Sequence, residues 1–142
     1  MVKGYTLYKR TKSGKGGAVE FELNVERQAL YVSAAHQKDD THFDWDAKIV
    51  MKLGLADIGG VLSLLERRVQ KKVDLFHRTD SHDTNLELAP AEGREEAGYV
   101  LAVARKRKVE RAWDRVRIGV TEGEAAVLVP LFRAAVVRLA GW

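Results

Sequence analysis

The chain has 142 residues, enough for one domain with a sizeable hydrophobic core. It contains no cysteine, which excludes disulfides and thiolate metal sites, and no apolar run of about 18 residues that could cross a bilayer. Its formal net charge of +4 is compatible with an anionic partner but identifies none. Because the first residues form no apolar run, we expect no signal peptide and a cytoplasmic location.

The first half of the chain predicts four strands and a helix. Apolar and polar residues alternate, as strands require, over residues 5–10, 18–27, 29–36 and 43–53. A basic, glycine-rich turn separates the first two. In the fourth strand the alternation puts Trp45 and Ala47 on one face and Lys48 on the other. Apolar residues then recur at helical spacing, which predicts a helix from Gly54 to about Val69.

The same order of elements is predicted a second time. Strands are expected at 73–78, 85–89, 99–106 and 113–120, joined by charged loops at 80–84, 92–97 and 108–112. A last helix begins at Thr121, which forms a Thr-x-x-Glu capping box with Glu124, and stops at Gly141. Pro130 lies inside this helix and should remove a hydrogen bond and bend it. We therefore predict an α+β fold of two ββββα repeats, about 4–70 and about 73–142, with antiparallel sheets packed against two helices.

Basic and aromatic residues are interleaved on the predicted strands. Unpaired nucleic acid exposes phosphates, which attract cations, and base faces, which stack on flat rings. The candidate contacts of the first half are Tyr8, Lys9, Arg10, Lys12, Lys15 and Lys48. Those of the second half are Tyr99, Arg105, Lys106, Trp113, Arg115 and Arg117. Each has a structural alternative, because strand aromatics often pack in cores and basic runs often end a strand in solvent.

Catalysis is not supported by any residue pattern. Acidic residues and a histidine between 39 and 46 could hold a divalent metal in a nuclease. Consecutive strand residues point to opposite faces, however, so Asp44 and Asp46 share a face while the others lie in a loop, and these side chains do not converge. The four histidines lack metal-ligand spacing, and Gly14–Lys15–Gly16 is a turn rather than a phosphate-binding loop. We expect no catalytic residue, no metal and no cofactor.

Several short strings, in order along nearly the whole chain, resemble the single-stranded-DNA-binding Whirly family. They are Tyr5–Lys9, Phe43–Trp45, Ile58–Gly59, Phe76–His77, and Thr121–Leu128 leading to Leu139–Trp142. The resemblance implies two ββββα repeats whose helices pack at the centre of a homotetramer, with the sheets radiating like blades. The family's Lys-Gly-Lys-Ala-Ala-Leu element is matched only in part by residues 14–19, so assembly beyond a tetramer is not implied. The lack of an organelle-targeting leader suggests a prokaryotic or viral relative, or a mature form.

These patterns together predict a non-enzymatic protein that binds single-stranded DNA largely independently of sequence, in transcription or in genome maintenance such as DNA repair. Such a protein would be associated with the nucleoid. The main alternative is an RNA-binding or annealing protein, since kinetoplastid RNA-binding proteins have a similar fold. A metal-dependent nuclease and a protein-only scaffold are weaker alternatives. The broad apolar face of the last helix also predicts a homo-oligomer without membrane contact.

Overall fold

The computed structural model describes residues 2–92 and 98–142, and within them the predicted two ββββα repeats are confirmed. The first repeat contains β1 (Val2–Lys9), β2 (Gly17–Asn24), β3 (Ala29–His36), β4 (Ile49–Leu53) and α1 (Leu55–Leu65). The second contains β5 (Val73–Arg78), β6 (His82–Pro90), β7 (Tyr99–Arg107), β8 (Asp114–Val120) and α2 (Glu122–Ala140). Each set of strands forms an antiparallel sheet in chain order. We call the β1–β4 sheet the first sheet and the β5–β8 sheet the second sheet.

The ends of α2 follow the sequence signals closely. The Glu124 amide donates to the Thr121 hydroxyl at 3.1 Å, and the Thr121 amide donates to Glu124 Oε1 at 2.9 Å, so the capping box is confirmed. Gly141 ends the helix with φ of 75°, a left-handed conformation that favours glycine. The helix continues through Pro130, which lies on its exposed side.

Helix α1 is shorter than predicted, because it ends at Leu65 instead of near Val69. Arg67 adopts φ of 58°, outside the helical region, and this turns the chain. The amides of Arg68 and Val69 then both point back to the Ser63 carbonyl, at 2.8 and 3.4 Å. No helix in the described ranges is long and apolar enough to cross a membrane.

One continuous core fills the space between the inner faces of the sheets and the two helices. Phe21 of β2 and Phe132 of α2 meet edge to face inside it, with ring centroids 5.8 Å apart. The two sheets also meet directly where β2 crosses β8. A Cβ atom on Gly17 would lie 2.6 Å from Val116 Cγ1, so only glycine fits at this crossing without a shift.

The predicted fourth strand is partly wrong. Phe43 forms an isolated antiparallel bridge with Gln37, and the Asp44 amide donates to the His36 carbonyl at 2.8 Å, but the ladder does not continue. Trp45–Ala47 form a short 3₁₀ turn instead, and β4 begins at Ile49. The physical reason is a second apolar contact, because Phe43 packs on Ala18 and Ala35 at the outer face of the first sheet. In the second repeat, β6 starts at His82 inside a predicted loop, while residues 93–97 of another predicted loop lie outside the described residues.

Candidate nucleic-acid interface

An aromatic pair lies on the outer face of the second sheet, away from the core. Phe76 of β5 and Trp113, next to β8, are 45% and 38% exposed, and their ring centroids are 6.0 Å apart in an edge-to-face arrangement. Phe76 lies on one edge strand and Trp113 directly precedes the other, so the two rings meet across the outer face of the sheet. Between the two rings, the surface of the sheet is formed by Asn85 of β6 and by Ala104 of β7, which pair with each other. The exposed ring surfaces are therefore available for stacking.

Cations surround this pair. The Arg78 guanidinium lies 5.2 Å from the centre of the Phe76 ring, within cation–π range. Arg115 and Arg117 are exposed on the same face of β8, and Lys106 lies on that face of β7. Within the described parts of the chain, no carboxylate comes within 4.0 Å of Lys106, Arg115 or Arg117. We call Phe76, Trp113 and Arg78 the second platform.

The first sheet carries a comparable group on its outer face. Tyr8 of β1 is 58% exposed, and its ring centroid lies 5.6 Å from that of Phe43. The Arg10 guanidinium is 5.9 Å from the Phe43 ring centre. The surface beside these rings is made of two buried alanines, because Tyr8 pairs with Ala18 and Ala18 pairs with Ala35. We call Tyr8, Phe43 and Arg10 the first platform.

The two platforms occupy equivalent places in the two repeats. In each first strand an outward-facing ring is followed two residues later by an arginine, as Tyr8 and Arg10 or as Phe76 and Arg78. In each third strand a buried alanine lies in the same row, Ala35 or Ala104. The repeat is thus visible in side-chain placement, although the two halves share no letter-by-letter repeat.

A buried amide holds the first platform together. Gln37 Oε1 accepts from the Thr11 amide at 3.0 Å and the Gly16 amide at 2.9 Å. Its Nε2 donates to the Thr11 and Asp39 carbonyls, both at 3.1 Å. One side chain therefore ties the β1–β2 turn, which carries Arg10, to the segment that carries Phe43. Lys12 and Lys15 extend from the same turn into solvent.

Tyr99 does not belong to this interface, which corrects the expectation that it stacks on bases. Its ring is 1% exposed and shares the inner face of β7 with Leu101 and Val103. Burial raises the pKa of the Tyr99 hydroxyl. The Arg67 guanidinium lies 5.7 Å from the centre of the Tyr99 ring, so this cation contacts an aromatic residue of the core.

The side chains of Lys9 and Arg105 also lie outside the two platforms. Lys9 Nζ lies 2.6 Å from Glu124 Oε1 and links β1 to the start of α2. Burial raises the pKa of the Glu124 carboxyl, but hydrogen bonds from Lys9 and Thr121 outweigh it and leave the pKa below its ordinary value. Arg105 alternates away from Lys106 and donates weakly, at 3.5 Å, to the Lys48 carbonyl. The Lys48 side chain itself is exposed.

Three platform residues escaped the sequence prediction, namely Phe43, Phe76 and Arg78. The alternation of β5 does place Phe76 and Arg78 on one outward face, so a signal for them existed. Phe43 gave no such signal, because its position depends on a connection that folds over the outer face of the first sheet.

The acidic segment before β4 is an ordered loop. Asp39 Oδ1 accepts from the amides of Thr41 and His42, both at 2.9 Å, and His42 Nδ1 lies 2.9 Å from the same oxygen. The Thr41 amide and the His42 side chain lower the pKa of Asp39 to about 2. Among the residues that the structure covers, no three histidine, aspartate or glutamate side chains are grouped to hold a metal ion.

Comparison with known proteins finds similar solved structures but no matching sequence family. No family model and no curated protein sequence matches the chain. The structure of the plant transcriptional regulator PBF-2 is similar, with a TM-score of 0.78 and 22% identity over 100% of this chain and 84% of that one. WHY1 from Arabidopsis thaliana has a TM-score of 0.80 and 18% identity over 100% and 87% of the two chains. A guideRNA-binding protein complex bound to a gRNA has a TM-score of 0.73 and 12% identity over 100% and 94%. The chain therefore has the predicted Whirly-like fold over its whole length.

Proposed function

We propose that this chain is a non-enzymatic protein that binds single-stranded DNA with little sequence dependence, in transcription or in genome maintenance. The observation that carries the proposal is the pair of platforms. Each repeat presents an aromatic pair with an arginine against one ring, on the outer face of its sheet. Both rings of the second platform are exposed, whereas in the first platform Tyr8 is exposed and Phe43 is buried beneath it. We further propose that residues 1–142 form a single domain and that the protein is located in the cytoplasm, near the nucleoid.

Exposed rings of this kind favour single strands over duplexes. In a duplex the base faces are stacked on each other, whereas in a single strand they are free to stack on Trp113 or Tyr8. Such stacking contributes about 1–3 kcal/mol per base and tolerates any sequence. The neighbouring Arg115, Lys12 and Lys15 add phosphate contacts that weaken as salt rises. Binding should therefore be tolerant of sequence and sensitive to salt.

The structural neighbours support a nucleic-acid partner. PBF-2 is a plant transcriptional regulator, and the guideRNA-binding complex is bound to a gRNA. The guideRNA-binding complex specifically favours RNA as the alternative ligand, since its fold matches the whole of this chain. Neither platform contains an obvious contact for a 2′-hydroxyl, the group that distinguishes the two polymers.

We also propose that the chain assembles into a homotetramer through its helices. Val127, Pro130, Ala134 and Val137 form an exposed apolar stripe along α2, on the side opposite the core. A stripe of this length is commonly covered by a partner. Light scattering should give a multiple of the chain mass for the wild type and a smaller species for Val137→Glu. A monomeric wild type at micromolar concentration would contradict this assembly.

The binding proposal is tested by titrating one sequence as single-stranded DNA, duplex DNA and RNA at two salt concentrations. We expect the single strand to bind more tightly than the duplex, and both affinities to fall with salt. Equal affinity for single strand and duplex, or no dependence on salt, would overturn the proposal. A clear preference for RNA would favour the alternative ligand.

A further inference from the structure

A hollow lies beside the second platform, on the same outer face of the second sheet. Its volume is about 500 Å³, and its apolar lining includes Ala89, Val100 and Ala102, while Pro90, Ala91 and a second carboxylate, Glu92, line it at the end of β6. Arg117 and Glu87 stand at its sides. The strand register fixes this arrangement, because Arg117 of β8 pairs with Ala102 of β7, which pairs with Glu87 of β6. A cation and a carboxylate therefore flank a flat methyl floor, with backbones about 10 Å apart, twice the spacing of neighbouring strands.

Both flanking side chains keep free hydrogen-bonding capacity. Arg117 is exposed, and no carboxylate of a described residue lies within 4.0 Å of it. The Lys72 ammonium is 3.8 Å from Glu87 Oε2, beyond hydrogen-bond range. A flat ligand resting on Ala102 would thus meet hydrogen-bond donors on one side and acceptors on the other.

We infer that this hollow holds a guanine base of the bound strand, an inference that rests on the proposed function. Guanine presents two acceptors, O6 and N7, to which an arginine can donate in bidentate fashion. Its other edge presents N1–H and the 2-amino group, two donors that a carboxylate can accept together. Adenine, cytosine and thymine lack this combination of a two-acceptor edge and a two-donor edge. Arg117 and Glu87 match guanine alone on both sides.

The hollow is within reach of a strand that stacks on the second platform. One face of the β8 segment carries, at every second residue, Trp113, Arg115 and Arg117. Trp113 and Arg117 are separated by about 14 Å at strand rise, with Arg115 between them for a phosphate. Stacking at Trp113 would therefore deliver a nearby base of the same strand to the hollow.

The first repeat lacks this device. Its equivalent row runs from Glu20 of β2 through Ser33 of β3 to Val50 of β4. Glu20 thus corresponds to Glu87, but an apolar valine stands where the second repeat has Arg117. Among the described residues, the row of the first repeat thus has no arginine opposite its glutamate, and Glu20→Gln provides a matched control for Glu87→Gln.

The test compares oligothymidine with the same oligomer carrying guanine at regular intervals, by fluorescence anisotropy in lithium buffer to suppress quadruplexes. For the wild type we expect about tenfold tighter binding of the guanine-containing oligomer, the effect of one good bidentate contact. Replacing guanine by 7-deazaguanine, which lacks N7, should weaken binding of the wild type but not of Arg117→Ala. Replacing it by hypoxanthine, which lacks the 2-amino group, should weaken binding of the wild type but not of Glu87→Gln.

The control and the contrary outcomes are distinct. Glu20→Gln should keep the full guanine preference, and Glu87→Gln should bind oligothymidine within about twofold of Glu20→Gln, since each variant removes one negative charge from an outer sheet face. Equal wild-type affinity for both oligomers would overturn the guanine inference and leave the proposed function standing. Failure to bind either oligomer would overturn the proposed function as well. A hypoxanthine penalty that persists in Glu87→Gln would remove Glu87 from the site.

Discussion

Replacing Trp113 by leucine should weaken DNA binding more than folding stability. Replacing Tyr99 by leucine should lower folding stability and leave DNA binding nearly unchanged. Both were predicted from the sequence to stack on bases, but Trp113 is exposed on the second platform and Tyr99 is buried. Leucine keeps an apolar side chain at each position and removes the flat ring. The pair of variants therefore separates stacking from packing.

The magnitudes follow from the two environments. Trp113→Leu removes one stacking surface, which is worth about 1–3 kcal/mol per base, so the dissociation constant should rise about 5- to 150-fold. It also loses the edge-to-face contact with Phe76, so folding stability should fall by about 1 kcal/mol. Tyr99→Leu leaves a cavity in the core and should cost about 2 kcal/mol of stability. Its dissociation constant should stay within about twofold of the wild type, since stacking is untouched.

The assays are anisotropy titrations with oligothymidine at several salt concentrations and denaturant unfolding at one fixed protein concentration. Because Trp113→Leu removes no charge, its affinity should be lower at every salt concentration with an unchanged salt slope. An unchanged dissociation constant in a folded Trp113→Leu variant would remove Trp113 from the interface. A large loss of binding in folded Tyr99→Leu would refute the division between platform and core.

Three further outcomes are expected. Arg115→Ala should reduce the steepness of the logarithmic salt slope by about 0.7, the value for one phosphate contact on a single strand, whereas an unaltered slope would count against that contact. Thr121→Ala should lower the free energy of unfolding by about 1 kcal/mol through loss of the helix cap, while Thr121→Ser restores it; chemical denaturation measures both. The Asp39 carboxyl should titrate by NMR near pH 2, below its ordinary 3.8. Because this pKa is depressed in the folded loop, the stabilisation is present above about pH 4 and lost as pH falls through 2, and a midpoint near 4 would contradict the hydrogen bonds described.

Local signals predicted the elements well. The capping box at Thr121 and the glycine stop at Gly141 involve residues within one helical turn, so their consequences are readable from the sequence. Alternation also placed Trp113 correctly on the face opposite Val116. Tyr99 carried the same kind of signal, since it alternates in phase with Leu101, and strict use of that rule predicts its burial.

The contacts that build the platforms could not be predicted in this way. Phe76 lies on one edge strand and Trp113 directly before the opposite edge strand, and their meeting depends on the sheet's twist and on the buried Asn85 and Ala104 between them. Lys9 looked like a phosphate contact, but its partner Glu124 lies on the final helix, far along the chain. Phe43 followed a strand-like alternation, yet the chain folded it onto the other face of the first sheet. Each of these outcomes depends on tertiary packing that local pattern does not encode.

The buried amide of Gln37 has a consequence for the thermodynamics of association. Its four hydrogen bonds immobilise the turn after β1 and the segment before β4 during folding. A ligand that arrives at Arg10, above the buried Phe43, therefore meets groups whose backbone entropy has already been lost, and only the tips of the flanking lysines still need to be ordered. The first sheet should accordingly act as a preorganised receptor, with little rearrangement between its free and occupied forms.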